Sequence, residues 1–391
     1  MTNQIKKLLT ALVLIILGCN KSPAPTDYLQ FAEVKYNKEH SLDEFAADIQ
    51  QHYLLPGMAV AKINNTSIKD VAIKGWNKIK NGTSLNNTSK FNIGSCGKSF
   101  TALLVATFVE EGRLSWETKI SDVLTDMQIH EGFKNITIRQ LLSHTAGIRH
   151  FWSDEDVFEV AEAIPGLNGS AVEKRCVFTE WNLSQKPYFE PGVYQYSNAG
   201  YVVVATMLEK LSGKSFEELI RARIFNPLNL SSAEFGYPFI NNDEQPHRHM
   251  RRYIGGMGIT LDPELRLIDE LFNPAGNISL TIEDFAKYII FYIKALKGEE
   301  TLIDYHLVQE LFKPVVDTEK GNQVGMGWQI IYIDGVKTYG HTGSDGTSRS
   351  VMTIDPQTWN AVVFATNIGD TQAEIALINV VIELLELGNA V

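Results

Sequence analysis

Ser95-Cys96-Gly97-Lys98-Ser99-Phe100-Thr101-Ala102-Leu103-Leu104-Val105-Ala106-Thr107-Phe108 is the stretch at which the chain changes period. Ahead of it, Met58 to Ile63 and Ile68 to Ile73 have the composition of paired strands joined by a short turn at Asn64-Asn65. Within it, Phe100, Leu103, Leu104 and Phe108 share one helical face, and Gly112 closes a helix predicted from Ser95 to about Glu111. Ser95 and Lys98 stand at the mouth of that helix at positions i and i+3, where Cβ atoms lie about 5–6 Å apart. An amine is thereby brought toward a hydroxyl where helix N–H groups point at developing negative charge.

Working outward, Ser41-Leu42-Asp43-Glu44 is a capping box opening a helix to about Tyr53, which Pro56-Gly57 breaks. The long middle is mostly helical, with stretches at Ile138–Leu142, Tyr201–Leu211, Phe216–Ile224 and Thr281–Leu296. Strand period returns at Trp328–Ile333, Val336–Tyr339, Ser350–Ile354 and Ala361–Thr366, and a final apolar helix runs from about Gln372 to Leu387. Strands from both ends predict one antiparallel sheet, flanked by the terminal helices, with an inserted, mainly helical lobe. A cleft between sheet and lobe is the expected place for a site.

The 391 residues, 44% of them hydrophobic, are enough for a large core without covalent staples. A formal net charge of −11 with no long basic run excludes nucleic acid as a partner, because phosphate binding needs a basic face. The three cysteines, Cys19, Cys96 and Cys176, match no disulfide or zinc spacing. Lys6 and Lys7 precede an apolar run from Leu8 to Leu17, too short to span a bilayer comfortably and basic on one side only. It ends Ile16-Leu17-Gly18-Cys19, which resembles the bacterial lipoprotein box cut before an acylated cysteine. The reading is therefore a signal peptide over 1–18, a lipid-anchored tether over 19–30 and a folded domain over 31–388. The expected location is a bacterial cell envelope, the protein exported and held at a membrane through Cys19.

A serine hydroxyl is a poor nucleophile until a neighbouring base takes its proton, and a lysine serves only if its pKa is lowered. Ser-x-x-Lys alone is a weak signal. Two further constellations add to it. Tyr196-Ser197-Asn198 follows Phe189-Glu190-Pro191-Gly192 and precedes a helix, placing a phenol and an amide two residues apart. His341-Thr342-Gly343-Ser344 ends a predicted strand and enters a glycine-containing turn, where a ligand can approach the backbone.

In this order the three motifs resemble the serine β-lactamase and penicillin-binding peptidase superfamily. The likeness is nearest the class C β-lactamase-related branch, with its D-alanyl-D-alanine carboxypeptidases, D-aminopeptidases and esterases. Connecting segments match as well: Ile136-Thr137-Ile138-Arg139-Gln140-Leu141-Leu142-Ser143-His144-Thr145-Ala146-Gly147, then Ser212-Gly213-Lys214-Ser215-Phe216, Asn226-Pro227-Leu228 and Ala275-Gly276 leading to Glu283-Asp284. The likeness runs from about Leu55 to Asn367. It implies a β-lactamase-like α/β fold and an acyl-enzyme on Ser95, without metal or organic cofactor. Lys98 would activate Ser95, Tyr196 would be general base and then acid, and Asn198 would hold the acyl side chain and the lysine. The N–H groups of Ser95 and Ser344 would form the oxyanion hole, with His341, Thr342 and Gly343 lining the leaving-group side. Small esters, D-amino-acid peptides of cell-wall origin and, less favoured, β-lactams are the implied substrates. A penicillin-binding sensor that has lost turnover is the competing reading.

Departures from that pattern are specific. Gly97 stands where Ser or Thr is usual, at a helix cost of about 0.5–1 kcal/mol. His341 replaces the lysine of true class C β-lactamases and is expected to titrate near 6.5, so that anionic substrates would bind better as pH falls through that value. Thr347 stands where relatives often have glycine, which points to an altered turn. A Ser-His-Asp hydrolase needs a Gly-x-Ser-x-Gly elbow, but Ile93 sits two residues before Ser95. His144 reads as a buried structural residue, Cys96 as a packing residue and His247-Arg248-His249 as a solvated basic loop. Arg349 is either a carboxylate anchor for substrate or half of a salt bridge.

Overall fold

The computed structural model describes residues 31–37, 39–151, 164, 167–251, 258–261, 270–333 and 335–387. Cys19, the signal peptide and the tether lie outside the described residues.

Helix α1, Leu42–His52, starts at the predicted capping box: Glu44 N donates to Ser41 Oγ at 3.2 Å, and Ser41 N donates to Glu44 Oε2 at 2.8 Å. Strands β1 (Gly57–Asn64) and β2 (Ser67–Gly75) follow as an antiparallel pair. Near the other end come β3 (Val316–Asp317), β4 (Gln323–Val324), β5 (Gln329–Ile333), β6 (Val336–Ser344), β7 (Arg349–Ile354) and β8 (Asn360–Thr366). They form one eight-stranded sheet in the order β2-β1-β8-β7-β6-β5-β4-β3. Met58 opposite Thr366 joins the two ends of the chain, as the sequence predicts.

Side-chain alternation divides the core between the two faces of this sheet. Met58 and Val60 face a cluster made by α1 and by the C-terminal helix, which holds Phe45, Ile49, Leu377 and Val380. Ala59, Ala61 and Ile63 face a larger cluster that continues into the lobe. With both faces covered, β8 reads as a continuous apolar run in which Ala361 to Thr366 are all buried.

The lobe side contains helix α2 (Lys98–Glu110), α3 (Ala171–Ser184), α4 (Ala199–Ser212) and α5 (Ile282–Leu296); α6 (Thr371–Leu384) is the C-terminal helix on the opposite face. Phe100 of α2 stacks on Tyr288 of α5 with ring centroids 3.7 Å apart. A small sheet of Lys90–Asn92, Ile278–Thr281 and Glu234–Phe235, not foreseen from sequence, lies ahead of Ser95.

Several expectations are corrected. Residues Gly94–Gly97 form a 3₁₀ turn, so the α-helix starts at Lys98 rather than Ser95. Strand β6 runs through His341-Thr342-Gly343 to Ser344, so the motif lies within the strand and not on the turn after it. His247, Arg248 and His249 are buried, not solvated: their polar groups find internal partners, including His249 Nδ1 with the Asn367 carbonyl at 2.9 Å and Arg248 Nε with Thr347 Oγ1 at 2.9 Å. Arg349 pairs with Ser344 across β6–β7 and reaches Glu374 of α6 at 3.1 Å. It therefore faces the terminal helices while its neighbour Ser350 faces the 3₁₀ turn, and the salt-bridge reading replaces the substrate anchor.

Candidate active site

Backbone contact between the 3₁₀ turn and β6 sets the position of Ser95. Gly94 has φ +47°, and a Cβ there would stand 2.5 Å from Ser344 N. A Cβ on Gly343 would stand 1.9 Å from the Ile93 carbonyl oxygen. Only glycine at both places lets the turn lie directly on the strand. The residue before Ser95 is thereby held against the backbone of Ser344. Gly97 has a comparable reason: a Cβ there would meet Gly276 Cα at 3.1 Å, so its absence brings the Ala275-Gly276 segment close to Lys98.

Ser95 Oγ is the meeting point of two side chains. Tyr196 Oη donates to it at 2.8 Å and Lys98 Nζ lies at 3.0 Å. Lys98 also donates to Asn198 Oδ1 at 2.7 Å and to the Ala275 carbonyl at 2.6 Å. Asn198 Nδ2 is engaged by the Phe151 carbonyl at 2.8 Å, which fixes which end of the amide meets the lysine. The nitrogen thus has two partners that only accept and one hydroxyl that can donate. That set matches a neutral amine, with two N–H bonds and one lone pair.

The electrostatics agree with this. Lys98 is fully buried, makes no ion pair among the described residues, and is held well below the usual lysine range by burial. Burial pushes the Tyr196 phenol upward, against the lowering effect of its bond to Ser95. Burial therefore favours the neutral form of the amine beside the serine and the protonated form of the phenol.

Tyr196 is clasped by the segment Ser143–Phe151. His144 lies against its ring at 4.3 Å between centroids, and His144 Nδ1 accepts from Ser197 N at 3.1 Å. Ser197 Oγ donates to the Arg149 carbonyl at 2.6 Å and Asn198 N to the His150 carbonyl at 2.8 Å. His144 is buried and its pKa is driven well below the ordinary value by burial first, with Lys98 and His341 adding to it. It is a neutral wall of the site, as the sequence suggests. Its contact with the phenol was missed, although the match around Leu141–Gly147 was the available signal.

Of the third motif, His341 and Gly343 face the turn, and Thr342 is exposed. His341 is buried, its ring 6.4 Å from that of Tyr196, and Nδ1 donates to the Thr342 carbonyl at 2.6 Å. Burial, followed by the nearby Lys98 charge, brings its pKa down to about 4, which corrects the value near 6.5 expected from sequence. Beyond it, Asp345 Oδ1 gathers the Thr347 and Ser348 N–H and hydroxyl groups, so Thr347 is a bonded member of the turn. Cys96 Sγ donates to the His341 carbonyl at 3.2 Å, and burial raises its thiol to about 12. It packs, as expected. Cys176 is half-buried.

The Beta-lactamase family profile matches residues 42–385. Penicillin-binding protein 4 of Amycolatopsis lactamdurans is 25% identical over 347 residues, which cover 85% of this chain and 86% of that protein. Among solved structures, an octameric penicillin-binding protein homologue from Pyrococcus abyssi superposes with a TM-score of 0.71 at 22% identity, over 88% of this chain and 77% of that one. A D-stereospecific amidohydrolase from Streptomyces gives 0.65 at 20% identity, over 85% and 97% respectively. With its sheet, its lobe and its three motifs meeting at one serine, the chain belongs to the β-lactamase family, in the superfamily that joins serine β-lactamases to penicillin-binding proteins.

Proposed function

We propose that this protein cleaves an ester or amide through an acyl-enzyme on Ser95. The observation that carries the reading is the convergence of Lys98 Nζ and Tyr196 Oη on one hydroxyl, with every other bond of the amine already assigned. Ser95 Oγ attacks the carbonyl carbon while its proton passes to Lys98 Nζ. The oxyanion is held by the N–H groups of Ser95 and Ser344. Collapse breaks the bond to the leaving group, which takes the Tyr196 proton, and Lys98 restores that proton. Water then follows the same route in reverse, with Lys98 as base. Burial of the phenol supports this assignment over Tyr196 as the first base, the role implied by resemblance.

Small esters and D-amino-acid peptides are favoured over β-lactams. A neutral His341 in the third motif supplies no fixed cation for a substrate carboxylate. The name of the Streptomyces relative, a D-stereospecific amidohydrolase, supports the D-peptide side of this reading. Labelling with a fluorophosphonate or fluorescent penicillin, followed by a chase, tests the reading. The wild type should be labelled and then recover, whereas Ser95→Ala should stay dark and lose at least about a thousandfold in rate. Equal labelling of the variant refutes the mechanism; permanent labelling of the wild type supports a sensor.

The location belongs to the same proposal: export to a bacterial cell envelope with a lipid on Cys19. Among the described residues no helix is long and apolar enough to cross a membrane. If the lipid is the anchor, Cys19→Ser should move the protein from membrane to soluble fractions. Retention after a high-salt wash would identify the apolar segment itself as the anchor.

A further inference from the structure

A one-way ladder of buried amides runs from the helical lobe to the residue before Ser95. Gly94 N donates to Asn92 Oδ1 at 2.9 Å, and Asn92 Nδ2 donates to Asn277 Oδ1 at 3.2 Å. Asn277 Nδ2 donates to Asn273 Oδ1 at 2.8 Å, and Asn273 Nδ2 donates to Glu217 Oε1 at 2.8 Å. Glu217 is fixed by Arg175, whose two terminal nitrogens reach its oxygens at 3.0 and 2.9 Å. All three asparagines and Arg175 are buried. Every donor points toward the carboxylate, so each bond polarises the next in the same sense.

A second branch leaves the same arginine. Arg175 Nη1 donates to the Glu270 carbonyl at 3.0 Å, at the start of the 3₁₀ segment Glu270–Ala275. That segment ends on the two carbonyls that grip α2: Pro274 O accepts from Thr101 Oγ1 and Ala275 O from Lys98 Nζ, both at 2.6 Å. One branch therefore holds the turn that carries Ser95, and the other holds the carbonyl that takes one of the two N–H bonds of Lys98. Sequence places these residues far apart, and no motif includes Asn92, Asn273 or Asn277.

We infer that Asn92, Asn277 and Asn273 are positioning residues for acyl transfer, coupling the Arg175–Glu217 pair in the lobe to the geometry of Ser95 and the proton affinity of Lys98. The inference rests on the acyl-enzyme reading for its kinetic readout but not for its titration. If the ladder loosens, the Ala275 carbonyl shifts, water reaches the amine, and the charged form of Lys98 is favoured. Ser95 also leaves its alignment, and a misplacement of about 1 Å can cost about a hundredfold in rate.

The test uses Asn273→Leu, nearly equal in shape but without hydrogen bonds, and Asn92→Ala, which breaks the ladder at the opposite end if the first variant fails to fold. Turnover is measured per serine titrated by fluorophosphonate, so that unfolded protein does not count. The titration of Lys98 is followed by NMR on ¹³C-lysine-labelled protein, which needs no activity. The expected result is a kcat at least about tenfold lower at a KM within about threefold of wild type, with the Lys98 midpoint moved up by about one pH unit. Unchanged turnover per serine together with an unchanged Lys98 midpoint, whatever the loss in melting temperature, overturns the inference. If the wild type is never labelled, the acyl-enzyme reading fails by itself, and the Lys98 titration still decides whether the ladder sets that amine.

Discussion

Among the described residues, the basic side chains of Arg175 and Lys98 are buried completely, and their surroundings are opposite. Arg175 sits between two carboxylates, with Glu209 at 2.6 Å and Glu217 at 2.9 Å. Lys98 has no carboxylate partner among the described residues: its nitrogen meets a hydroxyl, an amide and a carbonyl oxygen, with the rings of Tyr196 and Tyr201 at 4.8 and 5.4 Å. Burial weakens the charged form of both, but the carboxylates outweigh it at Arg175 and leave its pKa raised. At Lys98 the opposing effect of the neighbouring Cys96 is the lesser one, and the pKa stays well below the usual lysine range. The residue types suit this division. A guanidinium keeps its proton almost anywhere and forms forked bonds with carboxylates, whereas a lysine amine gives up its proton when desolvated. One buried basic group ties the lobe together; the other, with no carboxylate beside it among the described residues, suits the proposed role of base.

The sharpest way to break the comparison is to put the first residue type in the second place. Lys98→Arg keeps a cation but supplies no lone pair toward Ser95, so kcat/KM should fall at least about a thousandfold. Activity within about tenfold of wild type would show that the base is another group. The converse change, Arg175→Met, leaves the buried Glu209 and the partly buried Glu217 without their shared partner and should cost about 3–5 kcal/mol, read from the denaturant midpoint. A loss under about 1 kcal/mol would mean that the pair is no better than a surface bridge. Survivors of this variant should also show slower acylation, because the amide ladder ends on Glu217.

How much of this was legible in the sequence follows from how local each signal is. Ser95 with Lys98, and Tyr196 with Asn198, are short motifs whose spacing carries the chemistry, and the structure brings all four together. The sheet built from both termini was legible because strand period and turn signals repeat at each end. The Arg175 cluster was not, since Glu209, Glu217 and Asn273 come from separate elements and look like ordinary polar surface residues. His247-Arg248-His249 was misread because charge was equated with solvent, although buried charges persist where internal partners exist. Arg349 was misread for want of parity: Ser350 faces the turn at Ile93, so its neighbour had to face the other way.

Burial is also what sequence could not supply for His341, and it reverses the expected pH behaviour. In the folded protein this imidazole titrates near 4, against about 6.5 in an unfolded chain. Burial first and then Lys98 across the turn keep it neutral, while the Thr342 carbonyl, which its Nδ1–H serves, acts the other way without overcoming them. Binding of an anionic substrate should then show no fall in KM as pH passes through 6.5. The titration appears in stability instead. Below about 6.5 the unfolded chain takes up a proton that the folded chain refuses until about 4, so stability is complete above that window and is lost as pH falls through it. His249, also brought down to about 4 by burial, acts in the same direction, so the change at His341 must be read as a difference between proteins. Comparing denaturant midpoints at pH 7 and pH 5, the wild type should lose about 1–2 kcal/mol more than His341→Gln. An equal loss in the two proteins would show that His341 is as accessible to protons folded as unfolded, and would restore the third motif as a cation for anionic substrates near neutral pH.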